Sequence, residues 1–335
     1  MTTNIKYTFK DFASDQDVRW CPGCDDYVIL RSIQKALPEI GKKKEDIVFI
    51  SGIGCSSRFP YYMDNYGIHG IHGRAAAIAT GTKLANPNLS VWVASGDGDA
   101  MAIGGNHFIH AIRRNIDLNY ILFNNEIYGL TKGQFSPTSL LGQKTKSSPY
   151  GNVQAPFHPG ELAIGAQAKF FARVAGNDAK LQTKLYIEAD KHKGFSLVEV
   201  LQNCVIFNDG AYKDIADKSV KDDAQLVVEH GKPMIFGKNK DKGIILDGMK
   251  LKVVKIGENG ITEDDILVHD AKEKDPTLHL ALINMKAPVV MGVIRAVEEP
   301  TLEEREAKAT EYAKEVNPIK SFNDLLFSGQ TYEVD

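Results

Sequence analysis

Several things are missing from this 335-residue chain, and each absence removes a class of function. It has no excess of basic residues: 40 Lys and Arg face 43 Asp and Glu, a net charge of −3, so no electrostatic footprint for nucleic acid exists. It has no long apolar run. The most apolar late stretch, Leu280 to Val297, is broken by Lys286, Pro288 and Arg295, which argues against a membrane span. The start, Met1 to Phe12, is polar and mixed and lacks the charged-then-apolar pattern of a secretion signal. No nucleotide loop is present either. Gly96 and Gly98 are not followed by the third glycine of a dinucleotide fingerprint, and Thr80-Gly81-Thr82-Lys83 lacks the upstream glycine of a P-loop. No His-Glu-x-x-His occurs, which excludes that kind of zinc hydrolase. What remains is an ordinary globular composition, 43% hydrophobic and 25% charged, with length for about two domains. The expectation is a soluble, cytoplasmic protein.

Cysteine is scarce: Cys21, Cys24, Cys55 and Cys204 are all there are. In a reducing compartment a structural disulfide is disfavoured. The Cys21-Pro22-Gly23-Cys24 spacing suits a metal site or a redox loop, and Cys55 and Cys204 stand far from it. A structural zinc site usually draws on two close pairs. Distant single cysteines fit a buried iron–sulfur cluster better, and plain core cysteines remain an alternative.

Asp25 to Ile40 carries Val28, Ile29, Ile33, Ala36 and Leu37 at helical spacing and is closed by Pro38 and Gly41. The cysteine pair therefore sits at a helix N-terminus, where N–H groups favour anionic sulfur. Four short apolar runs follow: Ile47 to Ile50, Ser90 to Ala94, Tyr120 to Phe123 and Phe195 to Leu201. They end in Gly52-Ile53-Gly54-Cys55, Gly96-Asp97-Gly98-Asp99, Asn124-Asn125 and Gln202-Asn203-Cys204. Between them Arg74 to Leu84, Ala100 to Arg114, Glu161 to Val174 and Ala179 to Lys191 read as helices. Continuous apolar strands alternating with helices indicate an α/β fold, a parallel sheet flanked by helices. The polar elements then gather at the carboxyl ends of the strands, where open α/β sheets bind ligands. Beyond about Val205 the texture changes to short strands at Met234 to Gly237, Gly243 to Leu246 and Leu251 to Ile256, with an exposed charged helix over Thr301 to Val316. Residues 211–335 are read as a small C-terminal α+β extension to a cofactor domain of residues 1–210.

About two dozen residues, one helix and one strand, separate Gly98 from Asn124. That spacing puts Asp97 and Asn125 after two strands joined by the helix. A carboxylate and an amide oxygen there suit a hard divalent cation such as Mg²⁺, with phosphate oxygens completing its shell. The glycines allow close backbone approach, and the start of the Ala100 helix offers N–H groups to a diphosphate.

Gly-Asp-Gly followed two dozen residues later by Asn-Asn resembles the thiamine diphosphate signature. Cys-Pro-Gly-Cys, Gly-Ile-Gly-Cys55, His72-Gly73-Arg74, the run Thr131-Lys132-Gly133-Gln134-Phe135-Ser136-Pro137-Thr138 and Cys204 together resemble the β subunits of 2-oxoacid:ferredoxin oxidoreductases. The resemblance covers Trp20 to Asp209, and Gly54 to Pro60 is most similar to the 2-oxoglutarate members. It implies a thiamine diphosphate-binding fold. It makes Asp97, Asn125 and the carbonyl of Ile127 the Mg²⁺ ligands and places Gly98, Asp99, Gly129 and Leu130 around the diphosphate. Ile53, Gly54, Cys55, Ser56 and His72 would line the rest of the cofactor. The four cysteines would bind one [4Fe–4S] cluster. Arg58 is expected to meet the substrate and Lys132 to meet CoA. No segment reads as the second domain that supplies the activating glutamate of such enzymes, so an α subunit is expected in an α2β2 assembly, with ferredoxin as external acceptor. The implied reaction is the reversible oxidative decarboxylation of 2-oxoglutarate with CoA to succinyl-CoA and CO₂. A pyruvate or branched-chain 2-oxoacid enzyme and a non-catalytic iron–sulfur module are the alternatives.

Overall fold

The computed structural model describes residues 6–334; the first five residues of the polar start and Asp335 lie outside the described residues. The helix expected after the cysteine pair is α1, Asp26–Ile40, and Gly41 ends it in the left-handed region with its N–H on the Leu37 carbonyl. Strands β1 (Ile47–Ser51) and β2 (Tyr66–His69) follow, then α2 (Ala75–Ala85) and β3 (Ser90–Gly96). The next elements are α3 (Asp97–Met101), α4 (Gly105–Arg114), β4 (Asn119–Asn124), α5 (Pro159–Gly165), β5 (Phe170–Ala175), α6 (Ala179–Lys191) and β6 (Ser196–Leu201).

Eight strands form one sheet in the order β2-β1-β3-β4-β6-β5-β11-β7, where β7 is Gln225–Val228 and β11 is Val289–Ala296. The first six of that order run parallel. β11 pairs antiparallel with β5 and parallel with β7, so the last two strands run the other way. The sheet thus draws strands from both sides of residue 210. Short helices α7 (Lys213–Ala216) and α8 (Lys221–Ala224) lead into β7, and α9 (Thr277–Ile283) precedes β11. A separate three-stranded sheet is made of β8 (Ile235–Phe236), β9 (Lys242–Asp247) and β10 (Lys250–Lys255), close to the short strands expected there. The chain ends in the exposed helices α10 (Leu302–Val316) and α11 (Phe322–Leu326).

Strand residues alternate between two cores. Val48, Ile50, Val91, Val93, Tyr120 and Leu122 pack with residues of α2, α4, α5 and α9. Ile47, Phe49, Trp92, Ala94, Ile121 and Phe123 pack with α1 and α6 on the other face. Burial on both faces is why these runs are apolar without a polar alternation.

Two helix expectations need correction. Glu161 to Val174 is a short helix followed by a strand: α5 stops at Gly165, and Phe170–Ala175 is the fully buried β5. A short apolar run buried on both faces carries no periodicity that separates strand from helix. Ala100 to Arg114 is two helices, broken at Ala102 to Gly104. There the chain crosses Gly73, and a Cβ on Gly104 would lie 2.4 Å from the Asp99 carbonyl oxygen. Met101, Phe170 and Phe171 are core residues.

Candidate active site

The carboxyl ends of β1, β3, β4 and β6 are neighbours across the sheet, and the polar loops leaving them enclose two adjoining cavities. The larger, about 640 Å³, takes Ile53, Gly54, Cys55 and Ser56 from the loop after β1 and His72 from the loop after β2. The start of α3 contributes Asp97, Gly98 and Asp99, and the loop after β4 contributes Asn125, Ile127, Gly129 and Leu130. Every residue expected to surround the cofactor or its cation therefore lines one space.

Asp97 is buried, and its Oδ2 accepts hydrogen bonds from the hydroxyls of Ser136 and Thr138. Burial pushes its carboxyl up to about 6, against those two hydrogen bonds, because no side-chain cation faces it. Asn125 Oδ1 accepts from the Ile127 N–H at 3.2 Å, which fixes the amide in the turn between the two residues. Carboxylate, amide and carbonyl oxygen make a hard donor set that fits Mg²⁺. Among the described residues, no three His, Cys, Asp or Glu side chains close on a point that would hold a single ion. Gly98 has no room for a side chain: a Cβ would lie 2.1 Å from the Tyr128 ring, whose hydroxyl donates to the Gly98 carbonyl at 3.0 Å.

Asp99, which also lines the larger cavity, holds its surroundings together as well. Its Oδ1 accepts from the N–H groups of Ile53 (3.0 Å) and Gly73 (2.7 Å) and lies 2.9 Å from His72 Nδ1. Its Oδ2 accepts from the Ser95 hydroxyl. The carboxylate ties the loops after β1 and β2 to β3, and it orients His72 toward the cavity.

The smaller cavity, about 220 Å³, is lined by Cys21, Cys24, Cys55 and Cys204. Four residues spread over 184 positions of sequence thus share one space. Gly129 lies against two of the sulfurs: a Cβ there would stand 3.4 Å from Cys204 Sγ and 3.8 Å from Cys55 Sγ. Burial, then the Asp26 carboxylate, then neighbouring sulfurs push the Cys55 thiol up to about 12 and raise Cys24 further. Thiolates so placed need positive charge brought in from outside, as iron supplies. Gln202 Nε2 approaches Cys24 Sγ at 3.3 Å. Asp26, Cys55, Asn125, Gly129 and Leu130 line both cavities, so the two share a wall.

Two expected residues stand elsewhere. Arg58 borders the cysteine cavity and not the larger one; its Nε donates to the Tyr62 hydroxyl at 2.8 Å. Lys132 is exposed on a left-handed turn, φ 76°, outside both cavities. Sequence reasoning missed Asp26, Tyr128 and the hydroxyls on Asp97. Ser136 and Thr138 did lie in a recognisable run, but nothing in their spacing tells that they fold back 39 and 41 residues onto one carboxylate.

Comparison with known proteins matches residues 52–200 to the family described as thiamine pyrophosphate enzyme, C-terminal TPP binding domain. The chain is 48% identical over 340 residues to the 2-oxoglutarate oxidoreductase subunit KorB of Mycobacterium tuberculosis, covering 100% of this chain and 90% of the relative. It is 51% identical over 185 residues to the 2-oxoglutarate synthase subunit KorB of Archaeoglobus fulgidus, covering 55% of this chain and 69% of that one. Its structure is similar, with TM-score 0.78 and 31% identity over 97% of each chain, to a 2-oxoglutarate:ferredoxin oxidoreductase from Magnetococcus marinus with 2-oxoglutarate, coenzyme A and succinyl-CoA bound. No helix among the described residues is long and apolar enough to cross a membrane. Likeness in sequence over the full chain and in fold over 97% of it places the chain in the family of 2-oxoglutarate oxidoreductase KorB subunits.

Proposed function

We propose that the chain is the β subunit of a 2-oxoglutarate:ferredoxin oxidoreductase, converting 2-oxoglutarate and CoA to succinyl-CoA and CO₂ with reduction of ferredoxin. The observation that carries this reading is the wall shared by the cofactor cavity and the four-cysteine cavity. Thiamine diphosphate would supply the nucleophilic carbon and electron sink of decarboxylation, and a [4Fe–4S] cluster would take the electrons singly. Asp97, Asn125 and the Ile127 carbonyl would hold Mg²⁺ on the diphosphate, with Gly98 leaving room beside it. Cys21, Cys24, Cys55 and Cys204 would hold the cluster. Cys55 and Gly129, the latter without a side chain, would stand between the two groups as part of the shared wall.

No glutamate lines the cofactor cavity among the described residues. The activating carboxylate would come from an α subunit packed over the cavity, whose lining residue Leu130 is an exposed apolar side chain. Lys132, exposed beside the same loop, would meet a CoA phosphate.

The test is co-expression with the α subunit, anaerobic purification, and a viologen-reduction assay over several 2-oxoacids. The expected result is about four irons and four sulfides per chain, Mg²⁺-dependent thiamine diphosphate, and the highest kcat/KM for 2-oxoglutarate. Zinc without sulfide would overturn the cluster, and preference for pyruvate would overturn the substrate.

A further inference from the structure

Ser136 and Thr138 are buried side chains whose hydroxyls lie 3.3 Å apart and converge on the same oxygen of Asp97. The next residue faces the other half of the candidate cation site. Ser139 Oγ donates to the Glu126 carbonyl, and Gln143 Nε2 reaches that carbonyl at 3.4 Å. Ser139 Oγ also accepts the Ser136 N–H at 2.8 Å. Glu126 sits between Asn125 and Ile127 with φ 56°, a left-handed conformation that a non-glycine residue keeps only where its surroundings hold it. One turn therefore grips the carboxylate on α3 and the backbone of the Asn125–Ile127 loop together.

The loop that carries Lys132 is closed by its own backbone bonds and runs directly into this turn. Tyr128 N–H donates to the Gln134 carbonyl at 2.9 Å, and Gly133 N–H returns to the Tyr128 carbonyl at 2.9 Å. Gln134 and Phe135 face the cofactor cavity. A carboxylate with two hydroxyl donors on Oδ2 is held in one rotamer, which leaves Oδ1 for a ligand.

We propose that Ser136 and Thr138 are positioning residues: they fix Asp97 for the cation and, through the chain that runs from Gln134 into Ser136, make the order of residues 129–135 depend on cofactor loading. This rests on Asp97 as a cation ligand. Filling the cation site would thereby set the loop that carries Lys132, so the cofactor would be in place before the loop is set for its own ligand.

The assembled enzyme, stripped of cofactor, tests this by Mg²⁺ titration of thiamine diphosphate binding and by hydrogen exchange of the 129–135 amides. Wild type should gain protection there on loading. Thr138→Val should raise the Mg²⁺ needed for half-saturation at least tenfold and abolish that gain, and Thr138→Ser should restore both. Unchanged binding and protection in Thr138→Val would overturn the proposal, as would a Thr138→Ser variant as impaired as Val, which would point to packing of the methyl group. Should Thr138→Val not fold, Ser136→Ala carries the same two readouts. Asp97→Asn separates the layers. If it leaves Mg²⁺-dependent binding intact, the reading of Asp97 falls and the proposal with it; if it abolishes binding while Thr138→Val does not, only the positioning claim falls.

Discussion

At the amino end of the sheet, Asp117 is surrounded by Lys83 at 2.8 Å, Lys193 at 3.6 Å and the Gly194 N–H at 3.2 Å. Burial raises its carboxyl, but Lys83 and the other partners outweigh that and hold it below the ordinary range. At the carboxyl end Asp97 and Asp26 are more deeply buried and meet no cation, and burial pushes them up to about 6 and about 7. The same residue type is thus closed off at one end and left electrostatically unmet at the other. Within the middle of the sheet Glu199 resembles the first case, paired with Arg173 at 2.8 Å. Stability is completed by this chain's own residues where the loops only connect, and is left open where a ligand's charge completes it.

The sharpest way to break this contrast is to exchange the losses. Asp97→Ala should cost at least a hundredfold in thiamine diphosphate affinity, about 2.8 kcal/mol, while the empty protein melts no lower than wild type; a large fall in melting temperature with cofactor affinity intact would make Asp97 a structural residue. Lys83→Met should do the reverse. It takes the nearest cation from Asp117, leaving Lys193 and the Gly194 N–H, and should lower stability by about 2 kcal/mol in denaturant titration, with cofactor affinity unchanged.

Arg58 sharpens the contrast from inside the site. Arg58→Ala should lose about tenfold in kcat/KM for 2-oxoglutarate, about 1.4 kcal/mol, and much less for pyruvate. An equal loss on both would assign the guanidinium to the cysteine cavity it borders, not to the substrate's second carboxylate.

The smallest effect is a pH slope at the amino end. Burial lowers His192 to about 4, against the pull of Asp117 and Glu298. The unfolded chain takes up a proton near pH 6.5 while the folded one resists it, so stability falls as pH drops from about 6.5 toward 4. His192→Phe, packed against Phe170 as the imidazole is at 5.3 Å between ring centroids, should remove about 1 kcal/mol of that loss by pH 6. An unchanged slope in melting temperature against pH would show that His192 does not set it.

The site was more legible than the scaffold. Glycine, aspartate, asparagine and cysteine at strand ends are few enough, and chemically particular enough, that their order along the chain points to one edge of one sheet. β5 was misread because Phe170-Phe171-Ala172-Arg173-Val174 carries no alternation when both faces are buried, and its one charged residue is neutralised inside by Glu199. The break at Ala102 to Gly104 is a tertiary matter, set by the approach of Gly73. Asp26 and the Ser136–Thr138 pair were invisible for a related reason: their importance lies in what the fold brings beside them.

The antiparallel pairing of β11 with β5, Gly292 opposite Arg173 and Ala296 opposite Phe170, also bears on how the chain is made. Every candidate ligand residue has been translated once Cys204 has left the ribosome. The β5 edge is still unpaired, because its neighbour β11 is translated only later, and at roughly 5–20 residues per second the gap lasts several seconds. During that interval a nascent subunit presents an unpaired edge beside Phe170 and Phe171, the kind of surface that recruits chaperones or another nascent copy. A message truncated before residue 289 would yield chains with every candidate ligand for metal and cluster, yet with that edge permanently open to aggregation.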